Sequence, residues 1–155
     1  VRLAASRLAA SGASPLALAA AAFALALVPA PGGAQVLATT AGKWVRIFVL
    51  DVERTIGRSV RVDAASVAPG GLGVNFRQAE VMNRASRAYP RGTTRFSARS
   101  VDCAGSRVVT TQWQVVGPDG TAIAASPGPG AVTRVQWESE DGKALRYVCT
   151  GILPR

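Results

Sequence analysis

The chain has 155 residues, with 18 Lys and Arg against 9 Asp and Glu, and no histidine. The absence of histidine excludes Ser-His and Cys-His nucleophile arrangements and most zinc sites. The formal charge of +9 favours polyanions or anionic surfaces as partners. Sixteen of the basic residues are arginine, which a GC-rich coding bias would also produce.

Residues 1–34 read as an export signal. Arg2 and Arg7 precede Leu16 to Val28, thirteen residues without a charge or polar group. Pro29 and Pro31 then break any helix, and Gly32-Gly33-Ala34 supplies small residues for cleavage. A membrane anchor needs about 20 apolar residues. Cleavage is expected after Ala34, with Ala30 as the second choice. No cysteine lies near that point, so a lipid anchor is not expected. The exported chain keeps a charge of +7 and is expected in the periplasm or outside the cell, without a transmembrane span.

Residues 35–42 form a flexible lead-in of small residues. Lys43 to Leu50 is dense in β-branched and aromatic residues and predicts a strand buried on both faces. Arg58 to Asp63 alternates, with Val60 and Val62 on one face. Asp63 to Val67 reads as a polar turn, and Ala68-Pro69-Gly70-Gly71 as a break. Gly73 to Met82 resumes strand character, with Val74, Phe76 and Met82 on one face and Ala79 and Val81 on the other. The stretch from Asn83 to Thr94 contains the turn signal Tyr89-Pro90-Arg91-Gly92. Phe96 to Cys103 predicts a strand that ends in a tight turn through Ala104-Gly105.

Arg107 to Val116 alternates most cleanly: Val109, Thr111, Trp113 and Val115 against Thr110, Gln112 and Gln114. Gly117-Pro118-Asp119-Gly120 has β-turn chemistry, so Thr121 to Ala125 should return antiparallel. Ser126-Pro127-Gly128-Pro129-Gly130 is a loop, and Val132 to Trp137 is a last strand or an extended approach. Glu138 to Cys149 predicts a helix, with Glu140 and Asp141 early, Arg146 late, and Leu145, Val148 and Cys149 on one face. Gly142 weakens that helix by roughly 1 kcal/mol against Ala. About six strands and one C-terminal helix, without βαβ alternation, make an antiparallel α+β domain over residues 43–150, with a tail at 151–155.

Cys103 and Cys149 are the only cysteines. In an exported chain they are expected to pair, tying the helix to the sheet. Their separation corresponds to about 4 kcal/mol of chain entropy. Reactive redox pairs are usually spaced Cys-x-x-Cys, so this bridge reads as structural.

Trp44-Val45, the polar Asp63-x-x-Ser66 turn, Asp102-Cys103 before a strand, the Gly/Pro loop and the closing Tyr147-Val148-Cys149 occur in an order that resembles the surface-adhesin protein E family of small exported bacterial domains. The resemblance covers roughly Lys43 to Cys149. It implies a six-stranded antiparallel sheet with a C-terminal helix held by a Cys103–Cys149 disulfide. It also implies host-matrix glycoproteins as partners and a capacity to form a homodimer. The missing lipid-attachment cysteine departs from the lipoprotein pattern of the founding member.

Six arginines, Arg77, Arg84, Arg87, Arg91, Arg95 and Arg99, stand against Glu80 alone within 23 residues. If they converge, they suit heparin-like glycans, lipopolysaccharide phosphates or acidic protein segments; otherwise they form a solvated face. Nucleic acid is not expected. Trp44, Trp113 and Trp137 either line a groove or pack between sheet and helix, and Trp137 is the one expected to be partly exposed. The carboxylates cluster only as Asp51 with Glu53, and as Glu138 with Glu140 and Asp141. These read as a solvated turn and a helix start rather than an acid pair across a cleft. No cofactor, metal or catalytic residue is expected. Two functions remain: a non-enzymatic exported binding module of adhesin type, or a periplasmic accessory domain that keeps the fold without a ligand. Mass spectrometry of the exported protein should show a start near Gln35 and no free thiol; an intact leader with two free thiols would overturn both expectations.

Overall fold

The computed structural model describes residues 37–154; the expected leader and its cleavage point lie outside the described residues. Seven strands form one antiparallel sheet: β1 (Trp44–Arg46), β2 (Arg58–Gly70), β3 (Gly73–Met82), β4 (Thr94–Asp102), β5 (Arg107–Val116), β6 (Ala122–Ala125) and β7 (Thr133–Arg134). The first six lie side by side in chain order, and β7 pairs with β5. Among the described residues, two helices, α1 (Leu50–Ile56) and α2 (Glu140–Thr150), complete the domain. The antiparallel α+β class and the disulfide-tethered terminal helix are therefore present, with one strand and one helix more than the sequence suggests.

The extra helix replaces the second half of the expected first strand. β1 ends at Arg46, and Ile47 and Phe48 turn inward to become core residues at 2 % and 5 % exposure. The chain then enters α1 without a side-chain cap at Val49 and leaves it at Gly57, whose φ of 74° lets its amide reach Glu53 O. Of this apolar run only Ile47 and Phe48 are buried, while Val49 and Leu50 are exposed, and apolar density does not distinguish a strand from a crossing segment. Leu37 is buried, and the carbonyls of Thr40 and Ala41 accept hydrogen bonds from Trp44 Nε1 and Arg77 Nη2. This part of the expected flexible lead-in is anchored.

The expected turn at Asp63–Val67 is a wide bulge inside one long strand. Five residues of β2 advance from Asp63 to Ala68 while β3 advances only from Arg77 to Asn75. Ser66 Oγ stands in for the missing ladder, accepting from Arg77 N at 2.8 Å and donating to Asp63 O at 2.7 Å. Pro69 pairs with Val74 rather than ending the strand. It is tolerated because β1 pairs only with Arg61, Val62 and Asp63, so the other edge of β2 is open at that point. Asp63 is buried beneath the bulge. Burial pushes its carboxyl up, but hydrogen bonds from Arg77, Lys43 N and Ala65 N outweigh this and hold it below the ordinary value.

A second bulge changes which residues of β5 share a face. Ala98 opposes Gln112, yet Arg99 opposes Thr110, leaving Thr111 as the extra residue. Thr110 therefore lies on the same side as Trp113 and Val115, correcting the unbroken alternation read from the sequence. The Pro/Gly loop is fastened at this bulge: Ser126 N donates to Trp113 O, Trp113 N to Ser126 Oγ and Gly130 N to Thr110 O. The segment 132–137 contributes only the two residues of β7 to the sheet.

α2 covers one end of one sheet face. Its Ala144, Leu145 and Val148 join Val60, Val62, Phe76, Val101, Val108 and Val135 in the core. Burying each large side chain stabilises the domain by roughly 1.5–3 kcal/mol. Ser139 caps the helix by accepting from Gly142 N at 3.0 Å. The Cys103–Cys149 disulfide fixes the other end, with Cα atoms 5.9 Å apart. Gly142 proves necessary rather than weakening: a Cβ there would overlap the Gln136 carbonyl and approach Trp137 Cα to 2.6 Å. Among the described residues, no helix is long and apolar enough to cross a membrane.

Gly142→Ala should lose about 1–3 kcal/mol in urea unfolding, against the gain that helix propensity alone would give. Cys103→Ser should lower stability by about 2–4 kcal/mol and raise amide exchange first in α2. Loss of protection throughout the sheet at the same rate would show that the bridge supports the whole domain.

Candidate functional site

The sheet face that α2 leaves uncovered is a polar cleft. It runs from the Pro/Gly loop at residues 126–131, past Arg95, Arg99, Thr110 and Asp141, to Met82, Tyr89 and Thr93 at the far end. Its largest hollow is about 520 Å³. Strand alternation supplies the floor. Glu80 on β3, Arg95, Ser97 and Arg99 on β4, and Thr110 and Trp113 on β5 share this side because the β5 bulge restores the phase.

The charges in the cleft are mostly committed to one another. Arg99 makes two bonds to the Asp141 carboxylate, 2.8 Å for Nη2, and a third from Nη1 to Gln78 Oε1 at 2.9 Å. Its guanidinium also sits 5.7 Å from the centre of the Phe76 ring. Arg58 pairs with Glu140 at 2.8 Å and lies 3.7 Å from Glu80, which also accepts from Gln78 Nε2. Burial pushes the Asp141 carboxyl up, but the bonds and charge of Arg99, with the charge of Arg58, hold it below the ordinary aspartate range.

Arg95 and the exposed Arg134 are the exceptions. The Arg95 guanidinium lies 5.4 Å from the centre of the Trp113 ring, and neither arginine forms an ion pair among the described residues. Arg58 Nε, Arg99 Nε and Thr93 Oγ1, from residues that line the same cleft, are buried without hydrogen-bond partners. The cleft thus presents two arginines without a carboxylate partner, Arg95 against an aromatic face and Arg134 at the loop end. This arrangement can hold an anionic group while stacking an apolar ring face against the indole.

The six arginines singled out in the sequence do not form one surface. Arg77 is on the opposite sheet face, bound to Asp63 and 5.6 Å from the Trp44 ring centre. Arg84 and Arg91 line a separate depression beside α1, and Arg87 is exposed on the intervening loop. Only Arg95 and Arg99 lie in the cleft, four residues apart on one strand and therefore on the same side. The three tryptophans also divide. Trp44 packs edge-on against Phe96, with ring centres 6.1 Å apart. Trp137, half-buried against the core, donates to Ser106 Oγ at 3.0 Å, and Trp113 alone lines the cleft.

Asp51 and Glu138 are exposed as their sequence setting suggests, whereas two other carboxylates are less solvated. Glu53, read as part of a polar turn, is 2 % exposed, and Asp141 closes the cleft wall. Thr110, Ser97 and Glu80 carry no local motif; only their positions in register assemble them. Comparison with family models, curated proteins and solved structures finds no match to this chain.

The Arg99–Asp141 pair has a definite pH signature. With the folded-state value of Asp141 below the unfolded one, the pair adds stability above the ordinary aspartate value of about 3.9. That contribution is lost as pH falls through the lower folded value. Asp141→Asn should therefore reduce Tm at pH 7 and flatten the fall in Tm below about pH 4. Parallel Tm–pH curves for variant and parent would show that the pair contributes nothing.

Proposed function

We propose that this protein is an exported, non-enzymatic binding module that holds an acidic saccharide in the cleft at Arg95 and Trp113. The observation that carries this reading is the guanidinium of Arg95 over the Trp113 ring, without a carboxylate partner, in a cleft where Arg58 and Arg99 are paired with carboxylates and Arg134 is not. A sugar acid suits these features together: its carboxylate meets Arg95, its C–H face stacks on the indole, and its hydroxyls reach Ser97 and Thr110. The paired surroundings favour a ligand with few charges per ring over a dense polyanion. The disulfide supports an oxidising compartment. The sheet with its tethered terminal helix supports membership of the surface-adhesin protein E family, in which glycoconjugates of a host matrix are the natural source of such a ligand.

A hyaluronan tetrasaccharide, followed by tryptophan fluorescence at low and high salt, tests the reading. We expect saturable binding, weakened at least tenfold by Arg95→Ala and losing its fluorescence signal in Trp113→Phe. Arg87→Ala, on the exposed loop, should change affinity less than twofold. No binding by the oxidised protein, or equal losses at Arg87 and Arg95, would favour a periplasmic accessory domain without a saccharide ligand.

A further inference from the structure

Glu53 is a buried carboxylate that the cleft does not use. It is 2 % exposed; its Oε2 accepts from Ser59 Oγ at 2.8 Å, while its Oε1 has no hydrogen-bond partner. The nearest cation is Arg46, whose Nε lies 3.4 Å from Oε1. Ser59 is itself held by Asn83 Nδ2 at 3.1 Å, so the carboxylate is fixed in place. Glu53 and Ser59 are buried in a depression of about 370 Å³ whose lining also includes the exposed Arg46, Arg54, Arg84 and Arg91. It shares no lining residue with the cleft at Arg95.

The arginines are placed by different parts of the chain. Arg46 ends β1 and Arg54 is on α1. Arg84 and Arg91 come from the loop after β3, and Arg84 Nη2 is tied to Arg54 O at 2.6 Å. Arg54 also pairs with Asp51 at 3.1 Å, whereas Arg84 and Arg91 form no ion pair among the described residues. Guanidiniums exceed carboxylates in the lining, and planar guanidinium donors match phosphate oxygens. A bare phosphate would satisfy them but would leave Glu53 Oε1 without a donor, and its charge would oppose the carboxylate. A bare amine would suit Glu53 but would have to lie among the arginines. A single ligand that carries both groups fits both parts.

We propose that this depression is a binding site for an amine-bearing phosphoester, with phosphate on the exposed guanidiniums and the ammonium donating to Glu53 Oε1. Leu50, 54 % exposed and part of the lining, offers an apolar contact to the carbon linker between the two groups. The same chemistry occurs in free phosphoethanolamine and in the headgroup of phosphatidylethanolamine.

Titration calorimetry of the whole chain with O-phosphoethanolamine, inorganic phosphate and ethanolamine tests the site. O-phosphoethanolamine should bind at least tenfold more tightly than phosphate, and ethanolamine should not bind. Glu53→Gln should abolish the preference over phosphate. Because Glu53 is buried, a second variant at exposed positions, Arg84→Ala with Arg91→Ala, guards against misfolding and should weaken O-phosphoethanolamine at least tenfold. Trp113→Phe should leave this binding unchanged, separating the site from the saccharide cleft. Equal affinity for phosphate and O-phosphoethanolamine, or parent-like binding by the double variant, overturns the proposal. Flotation with phosphatidylethanolamine vesicles, against phosphatidylcholine vesicles, distinguishes the sources. Selective flotation that the double variant loses assigns the lipid headgroup, and calorimetric binding without flotation assigns the free phosphoester.

Discussion

The bidentate pair between Arg99 and Asp141 joins the middle of the sheet to the first turn of α2. An eleven-residue helix is marginal alone in water, so its position depends on such attachments. Arg99 secures one end, the disulfide the other, and between them Leu145 and Ala144 bury at 0 % and 1 % exposure. The pair also sets the limit of helix coverage. Beyond Asp141 the sheet face is open, and the cleft begins where the helix stops. Structure and candidate function thus meet at one buried guanidinium, whose charge Asp141 compensates and one of whose N–H groups Gln78 accepts.

Arginine abundance acquires several distinct meanings in the fold. Arg77 satisfies a buried aspartate under the β2 bulge, and Arg99 braces the helix. Neither is a free binding group. Arg95 has the aromatic partner without the carboxylate, while Arg84 and Arg91 surround the buried Glu53. Net charge describes attraction at long range. Local pairing decides which cations remain to hold a ligand.

Both strand irregularities carry consequences far beyond their own residues. Were Thr111 to take a regular place in the ladder instead of bulging, Thr110 and Trp113 would lie on opposite faces of the sheet, because side-chain direction alternates with a period of two. The same bulge presents the backbone groups that fasten the Pro/Gly loop as a wall of the cleft. In β2, Ser66 satisfies the Arg77 amide, allowing the strand to continue through a segment whose composition signals a turn.

Much of the scaffold was legible locally. The boundaries Gly73–Met82 and Arg107–Val116 follow from alternation and flanking turns, the terminal helix from its acidic start and apolar spacing, and the disulfide from two cysteines in a chain read as exported. α1 was hidden because Ile47 and Phe48 are apolar for burial in the core rather than for strand pairing; Gly57 was the available stop signal. The cleft was legible only as an excess of arginine. Sequence by itself determined the extents of β3 and β5, the acidic start of the terminal helix and the oxidisable cysteine pair, since these depend on near neighbours. Tertiary structure alone decided which arginines find carboxylates, that Gly142 must lack a side chain, and that Trp113 faces an open cleft. Those outcomes depend on register and approach between segments tens of residues apart.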